Sequence, residues 1–232
     1  MRRSGHRSRE CSAIFWVPVL RLKLLGDSIT AGAGSSDFSP QGPAFVRVGG
    51  VSHRRNTGRR SWAALLARAV ESRIPGSSVC NNGCCNLFSH GLRTHLATLS
   101  EPEDTLTLLM IGTNNRRLPD GLRALYRDLS EVSERLALLG RNPVLLSPPP
   151  AAPEDEEKPS RFFHIPDIAT VVSRVAREQR LPLLDLHQLL LGNSTFLNLF
   201  AGTDGLHPND LGHEAIFALL FEHLTSILFR KD

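Results

Sequence analysis

Residues 21–30 read RLKLLGDSIT, and this stretch decides the fold class. The apolar run Leu20–Leu25 has the length of a strand buried on both faces, and it stops at Gly26. Glycine permits a tight turn without steric cost, so the next side chains are presented at the end of the strand. Ser28 is the first hydroxyl at that position.

Strands and helices alternate along the rest of the chain. Further strands are predicted at Ser78–Asn81, Thr105–Ile111, Pro143–Ser147 and Pro182–Leu186. Apolar residues at helical spacing predict helices at Ser61–Ile74, at Gly121–Leu139, around Ile168–Val175 and at Asn209–Leu228. This alternation predicts an α/β protein with a parallel sheet covered by helices on both faces. Ligands of such sheets bind beyond the carboxyl ends of the strands.

Composition indicates an ordinary globular chain. The 232 residues are 41% hydrophobic and 22% charged, which argues against disorder, collagen-like repeats and a membrane channel. The net charge of +4 is concentrated in arginines before residue 10 and in the stretch Arg54–Arg60. No nucleic-acid-binding motif accompanies these charges, so nucleic acid is not an expected partner.

The N-terminus fits two interpretations. A basic run, Arg2–Arg9, precedes the apolar run Cys11–Leu20, which is similar to a signal peptide. However, no small-residue cleavage site follows, and an apolar run of about ten residues is too short for a bilayer, which needs about 20. We expect a poorly ordered leader at residues 1–19, one domain at residues 20–232, no stable membrane insertion and a cytoplasmic location, with export left open.

The cysteines do not indicate a disulfide or metal framework. Cys11, Cys80, Cys84 and Cys85 are too few and too clustered for a stapled secreted domain. Cys84 and Cys85 are adjacent and lack the CxxC spacing typical of zinc sites. We expect reduced thiols, no metal and no cofactor, with this pair in a pocket wall rather than acting as a nucleophile.

An acidic and a basic side chain lie close together before the final predicted helix, at Asp204 and His207. A serine hydroxyl becomes a good nucleophile when an imidazole removes its proton, and a carboxylate fixes the imidazole tautomer. Ser28, His207 and Asp204 therefore form a candidate triad. A plainer interpretation also fits: Asp27 or Ser28 caps a helix, and the other two residues belong to an ordinary loop.

Two more predicted strand ends place amide donors beside glycine. They are Asn81-Asn82-Gly83 and Gly112-Thr113-Asn114-Asn115. Ester cleavage passes through an intermediate with a negatively charged oxygen, which fixed N–H donors stabilise. Each segment alone also fits a simple turn, because asparagine and glycine are common in turns.

Together the four segments resemble the SGNH hydrolase family, also called GDSL esterases, from Arg21 to the C-terminal helix. Ser28 matches the nucleophile, Gly83 the glycine of the second block, Asn114 the asparagine of the third, and Asp204 with His207 the final Asp-x-x-His pair. The resemblance implies a flavodoxin-like three-layer α/β/α sandwich and a metal-free Ser-His-Asp mechanism. It also implies an oxyanion hole made by the backbone of Ser28 and Gly83 and by the Asn114 side chain.

The chain departs from the family pattern at two blocks. Asn115 stands where an aspartate is usual, and Cys84, Cys85 and Asn86 follow Gly83 where small residues are common. The Gly-Thr-Asn-Asn-Arg form that ends at Arg116 is similar to family members that deacylate polysaccharides.

These features predict a serine carboxylic ester hydrolase for short acyl esters, including O-acetyl groups of carbohydrates. A non-catalytic domain that binds an acylated glycan or lipid is one alternative, and an acyltransferase that uses the same residues is another. The long segment Ser35–Arg60, with four arginines after residue 53, is either a binding element for a hydroxylated or anionic substrate or a solvated loop. Homo-oligomerisation is left open.

Overall fold

The computed structural model describes residues 19–192, 195–200 and 202–228 of the chain. Its strands are β1 (Arg21–Gly26), β2 (Ala44–Val48), β3 (Val51–Arg54), β4 (Ser78–Gly83), β5 (Leu106–Met110), β6 (Pro143–Leu146) and β7 (Leu183–Leu184). Five of them form a parallel sheet in the order β4-β1-β5-β6-β7, and β2 pairs with β3 in a separate antiparallel hairpin.

Helices connect these strands. They are α1 (Ser28–Ala31), α2 (Trp62–Arg73), α3 (Ser89–Thr94), α4 (Leu96–Leu99), α5 (Gly121–Leu138), α6 (Pro153–Glu156), α7 (Ile165–Gln179), α8 (Leu186–Leu191) and α9 (Asp210–Leu228). Two 3₁₀ helices lie at Thr113–Arg117 and Phe196–Phe200. None of the helices in the described ranges is both long and apolar enough to cross a membrane.

The alternation of side chains along β1 explains the two hydrophobic cores. Leu22 and Leu24 point to one face of the sheet, and Leu25 points to the other. The first face packs against α2 and α9, for example through Trp62. The second packs against α5 and α7, for example through Leu129. The predicted three-layer α/β/α sandwich with a central parallel sheet is therefore confirmed.

The strand register brings three chain segments to one edge of the sheet. Gly26, at the end of β1, pairs with Gly83 of β4 and with Met110 of β5. The residues that follow these three positions therefore lie beside one another at the carboxyl edge. This is where ligands of such sheets bind.

Two segments differ from the sequence prediction. The stretch from Ser35 to Arg60, predicted as a long loop, contains the β2–β3 hairpin. The acidic, proline-containing stretch at residues 151–160 has a composition typical of a surface loop, but it contains α6, and Asp155 in this helix is fully buried. The predicted leader lies outside the described residues except for Val19.

Candidate active site

Ser28 is the first residue of α1 and lies directly beyond β1. The side chain of Asp27 caps this helix, because its Oδ1 accepts a hydrogen bond of 3.1 Å from the backbone N–H of Ile29. Asp27 is fully buried, and burial raises the pKa of its carboxyl. Asp27 is therefore the residue that caps α1, and the Ser28 hydroxyl contacts another group.

That group is His207, and a chain of short contacts continues to Asp204. Ser28 Oγ lies 2.8 Å from His207 Nε2, and His207 Nδ1 lies 2.8 Å from Asp204 Oδ2. The other carboxylate oxygen, Asp204 Oδ1, accepts the backbone N–H groups of His207 at 2.9 Å and Leu206 at 3.1 Å. The structure thus brings the three predicted residues together in the predicted order.

The hydrogen bonds of Asp204 favour its charged form. Burial alone would raise the pKa of this carboxyl, but the two backbone N–H bonds and the neighbouring His207 outweigh burial and lower it. Asp204 is therefore an ionised acceptor, and an ionised acceptor both orients an imidazole and stabilises its protonated form.

The turn after α1 supports His207 through very close packing. Gly34 has a φ of 97°, and a Cβ at this position would lie 2.2 Å from the carbonyl oxygen of Pro208 and 2.9 Å from His207 Cβ. A larger residue at this position would displace the His207 loop. Beneath the turn, the buried ring of His213 contacts the Ala33 carbonyl through Nε2 at 3.2 Å.

The segment around α6 supports the same loop from the other side. Lys158 Nζ donates to the carbonyl oxygen of Asp204 at 3.3 Å, and the backbone N–H of Ala152 donates to the carbonyl oxygen of Gly205 at 2.7 Å. The loop that holds the Asp204–His207 pair is therefore held mainly through its own backbone atoms.

Asn114 lies in the 3₁₀ helix after β5 and is 8% exposed. Its Nδ2 donates to the carbonyl oxygen of Leu87 at 3.0 Å, and its Oδ1 accepts Arg117 Nη2 at 2.8 Å. One N–H of this amide is used by Leu87, so a second remains for another acceptor. The sequence alone does not indicate a role for Arg117, because nothing distinguishes it from other basic residues in turns.

Gly83 does not supply the predicted oxyanion donor. Its N–H donates to Asn81 Oδ1 at 2.9 Å, whereas the N–H of the next residue, Cys84, donates to the carbonyl of Gly26 in β1. Successive N–H groups of a strand point to opposite sides, so the Gly83 N–H points away from β1 and from Ser28. The prediction is therefore wrong for this donor. Glycine is needed here because a Cβ would lie 2.3 Å from the backbone N of Ala31.

Asn115, the other departure from the family pattern, is part of a buried hydrogen-bond network. Its Nδ2 donates to Ser89 Oγ at 2.8 Å and to the carbonyl of Gly121 at 3.3 Å. The single hydroxyl proton of Ser89 goes to Asp128 Oδ2 at 2.8 Å, so Ser89 needs a donor on its other side. An amide at position 115 supplies that donor, and an ionised carboxylate would not.

A buried ion-pair network lies next to Asn114. Arg116 is fully buried and donates to Asp155 Oδ2 at 2.6 Å and to Glu156 Oε2 at 2.9 Å. Asp155 Oδ1 also accepts Lys158 Nζ and Arg161 Nη2, both at 2.7 Å. Burial would raise the pKa of Asp155, but these three hydrogen-bonded cations lower it to about 2. The network ties the Asn114 segment to α6, and no local sequence pattern indicates it.

The described cysteines do not form a second nucleophilic site. Cys80, Cys84 and Cys85 are free thiols, whereas Cys11 lies outside the described residues. Burial and the neighbouring Cys85 raise the pKa of Cys84 to about 12, and burial also raises that of Cys85. Both thiols are therefore protonated, which does not favour a nucleophilic role. Cys85 lines a cavity beside the β2–β3 hairpin, as predicted for a pocket wall, whereas Cys84 is buried in the hydrophobic core.

A cavity of about 500 Å³ lies between the β2–β3 hairpin and the turn that follows β4. Its lining includes apolar side chains, such as Val48 and Phe88, and the imidazoles of His53 and His90. Leu87 also lines it, and the Leu87 carbonyl accepts Asn114 Nδ2. In the same turn, Asn86 has a φ of 60°, which asparagine tolerates better than most residues. Within the described ranges, no group of three or more His, Cys, Asp or Glu side chains is arranged to hold a metal ion.

Solved structures with this fold include several esterases. A lipase/acylhydrolase from Enterococcus faecalis is 19% identical, with a TM-score of 0.69 over 92% of this chain and 100% of its own. An acetylxylan esterase from Geobacillus stearothermophilus is 17% identical, with a TM-score of 0.66 over 93% of this chain and 99% of its own. These likenesses are at the level of the fold. No curated protein matches the chain by sequence.

The match to a family model is stronger evidence for family membership than these fold similarities are. The model of the GDSL-like lipase/acylhydrolase family matches residues 24–215, which include Ser28, Asn114, Asp204 and His207. This span covers most of the chain and every strand end that forms the site. The protein belongs to the GDSL-like lipase/acylhydrolase family, and it is an ester hydrolase.

Proposed function

We propose that the protein hydrolyses carboxylic esters with short acyl groups by a Ser-His-Asp mechanism. The observation that supports this most directly is the unbroken chain of 2.8 Å contacts from Ser28 Oγ through His207 to Asp204. His207 accepts the hydroxyl proton as Ser28 attacks the ester carbonyl, and it returns the proton to the departing alcohol. Water then enters by the same route and releases the acid from the acyl-enzyme.

The negative charge that develops on the carbonyl oxygen needs donors on the other side of Ser28. We assign this role to the backbone N–H of Ser28 and to the remaining N–H of Asn114 Nδ2. Both groups belong to segments fixed by the sheet, and Asn114 is mostly shielded from water. Donors that are fixed before the reaction stabilise this charge better than mobile water does.

Acetyl esters of carbohydrates are the substrates we favour. Two kinds of observation support this choice: acetylxylan esterases are among the proteins with the same fold, and the Gly-Thr-Asn-Asn-Arg stretch ends beside the site. The cavity of about 500 Å³ next to the Leu87 turn offers room for a group larger than acetyl, so it is a candidate place for the alcohol part of the ester.

Kinetics with Ser28→Ala test the mechanism. We expect the wild type to hydrolyse p-nitrophenyl acetate and the variant to lose a factor on the order of 10⁴ to 10⁶ in kcat. A fluorophosphonate should label the wild type and leave Ser28→Ala unlabelled. Undiminished hydrolysis by the variant would remove Ser28 from the mechanism. A panel of acetylated sugars and short alkyl acetates then tests the choice of alcohol.

A further inference from the structure

A half-buried arginine contacts the far side of the Asn114 amide. Arg117 Nη2 lies 2.8 Å from Asn114 Oδ1, and the guanidinium carbon lies 5.0 Å from the centre of the Phe88 ring. The four sequence blocks give Arg117 no role. Its contact is nevertheless made with the one side chain proposed to stabilise the oxyanion.

The contact fixes which way the amide faces. A guanidinium group only donates, so the atom of Asn114 that faces Arg117 must be the oxygen. The carbonyl of Leu87 only accepts, so the atom that faces it must be the nitrogen. The two neighbours therefore select one of the two amide orientations, and Nδ2 keeps one N–H for a further acceptor.

The charge of Arg117 is compensated less than that of its neighbours. Arg116 and Arg161 form ion pairs with Asp155, whereas among the described residues Arg117 makes none. Burial lowers the pKa of Arg117, repulsion from the other two arginines lowers it further, and attraction by Asp27 opposes this. A cation bound to Oδ1 withdraws electrons from the amide, which makes Nδ2 a stronger donor.

We propose that Arg117 is a positioning residue for ester hydrolysis, acting through Asn114. It holds the amide of Asn114 with Nδ2 directed to the oxyanion, and its charge strengthens that donor. Arg117 exchanges no proton and touches no substrate atom. Its effect appears only when the carbonyl oxygen becomes negative. Arg117 therefore stabilises the transition state and does not strengthen substrate binding. This inference rests on the proposed function.

A double-mutant cycle with p-nitrophenyl acetate tests the coupling. Asn114→Ala should lower kcat by about 10²- to 10³-fold, the usual effect of removing one oxyanion donor. Arg117→Met should lower kcat by about ten- to a hundredfold, with little change in KM, because one charge-assisted hydrogen bond is lost. In the Asn114→Ala background the same change should cost less than about twofold, since the residue through which it acts is gone.

Three controls separate positioning from a merely structural role. Arg117→Lys keeps a charge and a donor and should recover part of kcat. Arg123→Met removes an exposed arginine of α5 and should change nothing. An alkylboronic acid, which forms a tetrahedral adduct on the serine, should lose affinity for Arg117→Met in parallel with kcat. Thermal unfolding of each variant shows whether it is folded, and Arg117→Gln replaces Arg117→Met if the latter is not.

Two results would overturn the proposal. One is equal loss of kcat from Arg117→Met with and without Asn114, which would make the two residues independent. The other is a rise in KM with kcat unchanged, which would make Arg117 a substrate-binding group. If instead the wild type neither hydrolyses esters nor reacts with a fluorophosphonate, the proposed function itself fails, so the two failures are distinguishable.

Discussion

The two sides of Ser28 are built differently. On one side, the side chains of His207 and Asp204 are 23% and 51% exposed, and their loop is held largely by backbone hydrogen bonds. On the other side, Asn114 is almost buried and lies next to the fully buried Arg116. The groups proposed to move protons face solvent, where alcohol leaves and water enters. The group proposed to stabilise charge is kept from water, where a hydrogen bond is stronger.

This difference separates catalysis from stability. Side chains on the exposed side can be removed without leaving buried polar groups unpaired, so their loss should affect the rate and spare the fold. Side chains on the buried side belong to networks whose members satisfy one another, so their loss should lower the stability of the fold.

Removal of the proposed base should have the largest effect on activity. His207→Ala should lower kcat/KM by about 10⁴ to 10⁶ while the midpoint of thermal unfolding stays close to that of the wild type. Asp204→Asn keeps the shape of the acceptor and should lower kcat/KM by a smaller factor than His207→Ala does. Ester kinetics and calorimetry on the two variants check this, with His95→Ala as a histidine control outside the site. A large drop in stability for His207→Ala would contradict the contrast between the two sides.

Breaking the buried ion-pair network should destabilise the protein. Arg116→Met leaves Asp155 with one cation fewer, and removing one partner of a buried pair costs about 3–5 kcal/mol. The pKa of Asp155 is lowered to about 2 in the folded state, below its unfolded value. Its charged form therefore stabilises the fold above about pH 4, and this contribution is lost as pH falls toward 2.

Urea unfolding at pH 7 and at pH 2.5 measures both effects. We expect the difference between wild type and Arg116→Met to be large at pH 7 and smaller at pH 2.5, which lies below the unfolded pKa of Asp155, so that much of its stabilising contribution is lost. Arg123→Met, which removes an exposed arginine of α5, serves as the control. Equal destabilisation at both pH values would show that the lost contribution is packing rather than charge.

Protonation of His213 should weaken the fold at mildly acidic pH. Its Nδ1 accepts the backbone N–H of Trp62 at 3.3 Å and its Nε2 donates to the Ala33 carbonyl, so the folded state holds the neutral ring. Burial lowers its pKa to about 4, below the unfolded value of about 6.5. The unfolded state therefore binds more protons between these values, and stability should fall by up to roughly 3 kcal/mol as pH drops from about 6.5 to 4.

Chemical denaturation between pH 7 and pH 4 checks this prediction. His213→Gln, which does not titrate, should be less stable than the wild type at pH 7 and should lose less stability toward pH 4. An identical pH dependence in both proteins would rule out His213 as the source.

The smallest effect on activity is expected at position 115, where the family pattern usually has an acid. Asn115→Asp removes the donor to Ser89 Oγ and to the Gly121 carbonyl, and each unsatisfied buried group costs about 1–3 kcal/mol. The change should lower the thermal midpoint by several degrees and leave kcat nearly unchanged. A gain in stability would show that the network rearranges around Asp128 to accept a carboxylate.

The exposed side was predictable from the sequence because its information is local. Asp204 and His207 lie three residues apart, and the carboxylate meets the ring and two backbone N–H groups within one short loop. Ser28 follows a strand that can be recognised from its own run of apolar residues. The sheet and its helices were predictable for the same reason, since alternation and helical spacing are local patterns.

The buried side was not predictable in the same way, because it depends on contacts between distant segments. The direction of the Gly83 N–H follows from which edge of β4 pairs with β1, and a glycine in a turn does not reveal that. The stretch around Asp155 is acidic and contains prolines, so it indicates a solvated loop. Asp155 is buried there because Arg116, from the segment that follows β5, meets it together with the nearby Lys158 and Arg161.

The distance along the chain between the proposed nucleophile and the proposed base has a consequence for protein synthesis. Ser28 and His207 are 179 positions apart, whereas β1, β4 and β5, which fix the Ser28 side, are all complete by Met110. A nascent chain on the ribosome therefore displays the serine long before its base has been translated. Domains generally fold as units while they are made, and under the proposed mechanism ester cleavage arises only when the His207 loop docks on Gly34. Under that mechanism, ester hydrolysis reports that the chain has been translated past His207 and has folded.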